Sequence, residues 1–184
     1  VFHMAAPEIL GSFWGNPCLD NAHSLKKAGV QLSLDFYVPP DGPAPSSAGN
    51  AHCALLESAD MVFPNELEAR LITGQHTIGD ILACLHDTGV SLAVIKRGSD
   101  GAVVSWDGNR EDIPAAGVGA IGTCGAGDNF AGAFLAGWLK GLDPVECTKL
   151  GCEMGTLCVQ QKGAVTASSN TAKLEELAGR YGIS

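Results

Sequence analysis

The chain has 184 residues, 46% of them hydrophobic and 17% charged, which supplies enough apolar material for one sizeable core and excludes an intrinsically disordered chain. Its 11 Lys and Arg are outnumbered by 20 Asp and Glu, so the net charge is −9. That charge argues against nucleic acid or an anionic membrane as a partner, because both require a basic surface.

The first half of the chain alternates between short apolar runs and helical periodicity. A helix over residues 66–72 is predicted to end at Gly74, and one over 77–88 at Gly89. The repeated strand–helix order indicates a parallel sheet with helices on its faces. The Pro-, Gly- and Ser-rich stretch 39–50 is expected to be a long surface loop. The predicted strands are 1–4, 30–36, 61–63 and 92–95, and the remaining helices are 21–28 and 51–58.

The second half begins with a predicted hairpin and continues with helices. Asp107-Gly108 separates two strand-like runs, and this dipeptide is a strong signal for a tight turn between antiparallel strands. Asp143 as a cap and Pro144 at the first position predict the start of a helix. The two strands are 102–106 and 110–113, and the three helices run from near Asp128 to Lys140, from Pro144 to about Lys162, and over 171–178.

Cysteine usage bears on the compartment and on metal binding. The seven cysteines are an odd number without a C-x-x-C pair, which is typical of reduced thiols in a cytoplasmic protein. Cys147, Cys152 and Cys158 could instead form a metal cluster, but their spacing matches no common zinc pattern. We therefore expect structural thiols at these positions.

The most informative stretch is GTCGAGDNFAGAFLAGWLKG, residues 122–141. Gly125, Ala126 and Gly127 carry almost no side chain, so the main chain can approach a ligand closely where a helix begins. A helix start offers unpaired N–H groups and the positive end of its dipole, which together bind anions. Asp128 follows in the first turn, where its carboxylate could take the proton of a hydroxyl attacking a phosphoryl group. Taken alone, the pattern also fits a plain turn with Asp128 as a helix cap.

Four motifs, in the same order along the chain, resemble those of the ribokinase-like (PfkB) carbohydrate kinases. GTCGAGDNFAGAFLAG is similar to the family signature D-T-x-G-A-G-D-x-F and the small-residue helix after it. VFPNELEARLITG resembles the family's strand with its N-x-x-E motif, and IKRGSDGA resembles its strand with a G-x-x-G turn. CVQQKGA resembles the closing helix with its Gly-Ala end. The likeness covers essentially the whole chain, and four motifs in register are far more specific than one.

The resemblance implies both a fold and an activity. The fold would be α/β, a three-layer α/β/α arrangement with a mostly parallel, doubly wound sheet, here forming a single domain over residues 1–184. The activity would be that of an ATP-dependent kinase acting on a hydroxyl of a small-molecule sugar or sugar-like substrate. In the family pattern Asp128 is the catalytic base, and Gly125, Ala126 and Gly127 form the anion hole.

The remaining motifs imply the nucleotide and metal contacts. Lys96, Gly98 and Gly101 would line the ATP phosphates, and Asn65 would belong to the same ATP site. Glu68 would hold Mg²⁺ through a metal-bound water, because Mg²⁺ tends to keep its waters. The alternatives without a function are a solvated helix charge at Glu68 and a strand-end cation at Lys96.

Three positions depart from the family pattern. Gly122 replaces the first Asp of the signature and removes a carboxylate from a region that helps bind a monovalent cation in some members, which argues against potassium activation. Cys152 stands where an Asn near the adenine is frequent. Residues 35–37 replace the family's frequent D-P-N, and this weakens any transfer of sugar contacts.

The resemblance is to the later, nucleotide-binding part of such kinases. Complete members have a longer N-terminal portion with central strands, a lid and most of the substrate-recognition groups, and nothing before Val1 resembles it. We therefore expect a fragment that binds its acceptor poorly on its own. Because the lid often forms dimers in this family, a homodimer is left open, as is the identity of the acceptor.

The main alternative is a non-catalytic nucleotide-binding module or an inactive kinase remnant. The missing substrate groups and Gly122 favour it, whereas Asp128, Asn65 and Glu68 oppose it. A nucleoside kinase is a less favoured variant of the kinase hypothesis.

Two further enzyme classes are considered from local patterns. A G-x-G-x-x-G at Gly117, Gly119 and Gly122 would suggest a dinucleotide-binding oxidoreductase, but another glycine loop follows it instead of a helix. Cys124 could be a nucleophile, yet no His lies near it in the sequence. The P-loop pattern G-x-x-x-x-G-K-[ST] is absent from the chain.

Overall fold

The computed structural model describes residues 1–37 and 49–183. The surface loop expected over residues 39–50 lies outside the described residues up to position 48, and Gly49 and Asn50 already belong to a helix. No helix among the described residues has the length and apolar character that a membrane span requires.

The described strands form one six-stranded sheet in which their spatial order is the same as their order in the chain. The first four pair in parallel, with Phe2 opposite Leu32 and Met61 opposite Leu92 in register. Parallel neighbours require crossover connections, which the intervening helices provide. The strands are β1 (Phe2–Ala5), β2 (Leu32–Asp35), β3 (Met61–Val62), β4 (Leu92–Lys96), β5 (Ala102–Trp106) and β6 (Asn109–Ile113).

Seven α-helices lie among the described residues, and one of them begins at the predicted cap Asp143. Thr77 accepts the amide of Asp80, and Asp143 accepts the amides of Val145 and Glu146. The helices are α1 (Asn16–Lys27), α2 (Gly49–Leu56), α3 (Glu66–Thr73), α4 (Ile78–Asp87), α5 (Ala126–Leu139), α6 (Pro144–Val159) and α7 (Thr171–Arg180).

Three helices begin earlier than predicted: α2 starts at Gly49 instead of 51, and the other two have a local reason for their early start. Helix α1 starts at Asn16 instead of 21, because Pro17 occupies the first turn, where a missing N–H costs no hydrogen bond. Helix α5 starts at Ala126, two residues before Asp128, because Gly125 takes the left-handed conformation and caps it. This shift places the small residues of the glycine loop inside the first helical turn.

The predicted hairpin is confirmed. Only Asp107 and Gly108 separate the neighbouring strands β5 and β6, and so short a connection requires antiparallel pairing. Both residues have positive φ, 46° and 76°, which is the backbone of the turn type that suits a two-residue hairpin.

The chain divides into two compact units, Val1–Ile95 with Ser105–Asn109, and Lys96–Val104 with Arg110–Ser184. In the first, here called unit 1, all four residues of β2 are buried, which is the pattern of a parallel strand covered on both sides. In the second, unit 2, α5 and α6 approach closely because Gly151 carries no side chain. A Cβ there would lie 3.0 Å from the ring of Phe130.

All seven cysteines are described as free thiols. Burial and the nearby carboxylates of Asp143 and Glu146 raise the pKa of Cys147 to about 12. Burial, with a smaller effect of Glu153, raises the pKa of Cys152 to about 11.

These differences predict an order of thiol reactivity. At pH 8 the exposed Cys53 and Cys124 should react first with Ellman's reagent, whereas Cys147 should stay unreacted until the protein unfolds. Only the thiolate is nucleophilic, and a pKa three units above that of an ordinary thiol leaves about a thousandfold less thiolate. Mass spectrometry of partly labelled protein would identify the sites, and early labelling of Cys147 would contradict the prediction.

Candidate active site

The N-terminus of α5, in unit 2, leaves backbone amides available to a ligand. Gly125 caps the helix with φ 78° and without any side-chain hydrogen bond to the first turn. The Ala126 amide donates to the Thr123 carbonyl at 3.2 Å. Among the described residues, the amides of Gly127 and Asp128 donate to no protein acceptor. These two amides are therefore available to donate hydrogen bonds to a ligand at the helix start.

The glycine loop is held against the end of the CVQQKGA motif. A Cβ on Gly125 would lie 2.5 Å from the Ala164 Cβ and 2.9 Å from its carbonyl oxygen, so no side chain fits there. Gly163 has φ 100°, which turns the chain so that Ala164 reaches the loop. Two motifs some forty residues apart in the sequence thus form one packed corner of unit 2.

Asn129 is a site residue that the sequence analysis did not identify. Its side-chain Nδ2 donates to the carbonyl oxygens of Gly125 and Ala164, both at 2.8 Å. The signal was present, since Asn is a poor helix former and stands here in the first turn of a helix built of small residues. Propensity alone could not reveal that its second acceptor lies 35 residues further along the chain.

Lys96 brings a positive charge to the same helix start. The end of β4 places its Nζ 3.1 Å from where a Cβ on Gly127 would be, so the absence of a side chain at 127 makes room for the ammonium group. The ammonium group and the positive end of the helix dipole both carry positive charge, so together they favour an anionic ligand at this position. The role of Lys96 in lining the ATP phosphates stays a prediction.

Asp128 is exposed and lines an open cavity of about 420 Å³ in unit 2. The carboxylate is the acidic group of a wall that is otherwise largely apolar or small. The other lining residues are Asn129, Gly132, Ala133, Met154, Ala164, Val165, Ser168 and Leu174. Asp128 therefore has room beside it for a ligand and is not packed into the interior.

The two glycines of the G-x-x-G turn, Gly98 and Gly101, are required for different structural reasons. Gly98 has φ 58° and open space around it, so only its backbone conformation favours glycine. Gly101 has φ 89°, and a Cβ there would lie 1.9 Å from the Ile113 carbonyl oxygen. The Arg97 amide donates to the Gly101 carbonyl at 2.8 Å and closes the turn directly after Lys96.

Asn65 and Glu68 lie in unit 1 and form a capping box at the start of α3. The Asn65 side chain accepts the Glu68 amide at 2.9 Å, and the Glu68 carboxylate accepts the Asn65 amide at 2.7 Å. Glu68 is only 6% exposed, so it is not the solvated helix charge of the alternative interpretation. The capping box holds one oxygen of the Glu68 carboxylate in place and so fixes the orientation of the carboxylate.

At Gly122, one of the positions that depart from the family pattern, the structure shows the local hydrogen bonds. The amides of Ile121 and Gly122 both donate to the Val159 carbonyl, at 2.7 and 3.2 Å, and position 122 offers no carboxylate. This arrangement supplies no anionic ligand for a monovalent cation. In the part of the chain that the structure describes, no group of three His, Cys, Asp or Glu is placed to hold a metal ion.

Comparisons with known proteins address the family. The pattern of the pfkB family carbohydrate kinases matches residues 9–172. A ribokinase of Arabidopsis thaliana is 36% identical over 153 residues, which cover 78% of this chain and 38% of the relative. A cytidine kinase of Thermococcus kodakarensis is 40% identical over 102 residues (54% and 36%), and a 2-dehydro-3-deoxygluconokinase of Escherichia coli is 32% identical over 115 residues (60% and 37%). The chain spans less than half the length of each of these relatives.

Solved structures share the fold. Fructokinase from Vibrio cholerae O395, with fructose, ADP and a calcium ion bound, matches with a TM-score of 0.77 at 25% identity, over 95% of this chain and 59% of that chain. Aminoimidazole riboside kinase from Salmonella enterica, complexed with aminoimidazole riboside and an ATP analogue, matches with a TM-score of 0.80 at 22% identity, over 96% and 61%. The expected ribokinase-like α/β fold is confirmed. Since the family pattern extends over most of its residues, the chain belongs to the pfkB family of carbohydrate kinases.

Proposed function

We propose that this chain carries the phosphoryl-transfer site of an ATP-dependent kinase whose acceptor is a hydroxyl of a sugar or sugar-like molecule. The observation that carries the proposal is the start of α5. There the amides of Gly127 and Asp128 have no protein acceptor, the Lys96 ammonium lies beside Gly127, and the Asp128 carboxylate is exposed at an open cavity. A plain helix cap would need neither the cation nor the open cavity.

The proposed chemistry follows from these groups. The acceptor hydroxyl attacks the γ-phosphorus of ATP, its O–H proton passes to the Asp128 carboxylate, and the bond to the β,γ-bridging oxygen breaks to release ADP. The helix-start amides and Lys96 stabilise the negative charge on the moving phosphoryl group. The proton then leaves Asp128 for solvent, which restores the carboxylate.

Glu68 would hold Mg²⁺ through a metal-bound water, and Asn65 would belong to the same ATP site. A carboxylate is a hard oxygen ligand of the kind that Mg²⁺ prefers, and the capping box already fixes the Glu68 carboxylate. When bound, the ion would neutralise charge on the β- and γ-phosphate oxygens. A monovalent cation is not part of the proposal, because Gly122 supplies no charge for it.

The names of the relatives suggest the acceptor class. A ribokinase and a 2-dehydro-3-deoxygluconokinase act on a sugar and a sugar acid, and these matches support a hydroxyl of such a molecule as the acceptor. The cytidine kinase match, at 40% identity, favours a nucleoside as the second candidate. Our first choice is the sugar class, because the Arabidopsis ribokinase match covers more of the chain.

A panel assay tests the proposal. The protein is incubated with ATP and Mg²⁺ and, separately, ribose, fructose, 2-dehydro-3-deoxygluconate or cytidine, and ADP and phosphorylated acceptor are measured by mass spectrometry. We expect ADP and product in equal amounts for one acceptor class. Binding of ATP without phosphorylation of any acceptor would instead support the non-catalytic nucleotide-binding module.

The Glu68 variants separate its two roles. Glu68→Gln keeps an acceptor for the Asn65 amide and should leave stability almost unchanged, whereas Glu68→Ala should lose about 1 kcal/mol with the capping box. Because Glu68→Gln removes the charge, we expect the Mg²⁺ concentration for half-maximal activity to rise several-fold. Thermal unfolding and magnesium titration measure the two effects, with Glu66→Gln in the same helical turn as the control. An unchanged magnesium dependence would rule out the metal role.

A further inference from the structure

The Asn129 side chain ties the glycine loop to a distant part of unit 2. It is partly buried, and its single amide group makes two short hydrogen bonds to carbonyl oxygens, one to Gly125 and one to Ala164. Its Nδ2 also lies 3.5 Å from the Cys158 sulfur. Every side-chain contact of Asn129 that the structure gives is thus inside the corner that supports the start of α5.

The loop needs such a support because its own residues cannot hold it. Gly125 carries no side chain and adopts a left-handed conformation, and glycine has the widest backbone freedom of any residue. The Cys158 thiol also donates to the Cys124 carbonyl, but at 3.5 Å and from a weak S–H donor. The two 2.8 Å bonds from Asn129 are therefore the strongest side-chain restraint on this turn.

We propose that Asn129 is a positioning residue that keeps the helix-start amides aimed at the phosphate groups of the nucleotide. The inference rests on the proposed function, since it assumes that these amides bind phosphate. Without the restraint the loop would hold its binding geometry only part of the time. The apparent affinity for a phosphate-bearing ligand falls in proportion to that fraction.

The experiment compares ATP with adenosine, which lacks the phosphates. Isothermal titration of the full chain gives the ratio of their affinities for wild type, Asn129→Ala and Asn129→Ser. Both changes are neutral in charge, so they add no repulsion to the phosphate. Losing two hydrogen bonds changes the equilibrium constant for holding the loop in its binding geometry by on the order of tenfold. We therefore expect Asn129→Ala to reduce the ratio of ATP affinity to adenosine affinity by about that factor, while the affinity for adenosine stays constant.

Asn129→Ser serves as a partial rescue. A serine hydroxyl in a helix can donate to the carbonyl four residues earlier, so it keeps the bond to Gly125 and loses the one to Ala164. We expect its ratio to fall between those of wild type and Asn129→Ala. This graded response distinguishes positioning from a general loss of packing.

Thr148→Ala is the matched control for stability. The buried Thr148 donates its hydroxyl to the Pro144 carbonyl at 2.7 Å, in the same unit but in α6, so its loss should lower the melting temperature without changing the affinity ratio. If Asn129→Ala behaves like this control, the positioning role is wrong while the proposed function stands. If wild type itself does not prefer ATP to adenosine, the nucleotide site fails, and the positioning role fails with it.

Discussion

Replacing Asp128 with Asn is expected to reduce the rate of phosphoryl transfer by about a thousandfold while changing ATP affinity by less than about twofold. General-base catalysis contributes roughly 10²–10⁴ to such rates, and an amide of the same shape cannot accept the hydroxyl proton. Because Asp128 is exposed, the fold loses little from the change. The measurement is kcat for the best acceptor of the panel, together with the Kd of ATP by titration.

Asp143→Asn provides the control for this experiment. Asp143 also lies at the N-terminus of a helix in unit 2, and its carboxylate accepts the amides of Val145 and Glu146, a role that Asn fills equally well. It removes the same charge from a comparable position and should leave kcat unchanged. Equal activity of Asp128→Asn and wild type would remove the base from the proposed chemistry.

Gly101→Ala is expected to destabilise the protein by about 3–5 kcal/mol. The new Cβ would lie 1.9 Å from the Ile113 carbonyl oxygen, 2.6 Å from the Ala115 nitrogen and 2.8 Å from the Pro114 carbonyl carbon. All three are backbone atoms, which cannot rotate away as a flexible side chain would. The φ of 89° and ψ of −128° at this position are also reached almost only by glycine. Urea unfolding followed by circular dichroism would give the free energy.

The matched control is Gly98→Ala, three residues earlier in the same turn. Gly98 also has positive φ, 58°, but a Cβ there would meet no atom within 4 Å. Only the conformational cost remains, about 1–2 kcal/mol. If the two variants lose equal stability, the close approach of Gly101 to the 113–115 segment is not what requires the glycine.

Features that depend on neighbouring residues in the chain could be predicted from the sequence. The Asp107-Gly108 turn, the cap at Asp143 and the end of α3 at Gly74 all follow from local backbone chemistry, and the structure has each of them. The early start of α1 was missed because Pro17 was not recognised as a first-turn residue. Local rules therefore predict where the helices and strands lie, although the first residue of a helix can be misplaced when its cap is not recognised.

Features that depend on contacts between distant segments could not be predicted in the same way. The sequence motif identified the glycine loop and Asp128, but nothing in it indicated that Ala164 packs on Gly125 or that Asn129 bridges the two. Likewise, the spacing of Asn65 and Glu68 allowed a solvated charge, and only the tertiary structure revealed the burial of Glu68. These roles depend on tertiary packing between distant segments, and that packing cannot be inferred from the pattern of a single sequence.

A crystal structure of the protein with Mg²⁺ and a non-hydrolysable ATP analogue tests the central claim most directly. We expect the γ-phosphate oxygens within about 3 Å of the amides at the start of α5, with the Lys96 ammonium and the Asp128 carboxylate beside them. A nucleotide bound elsewhere, with the Gly127 amide facing only solvent, would contradict the assignment of this loop as the phosphoryl-transfer site.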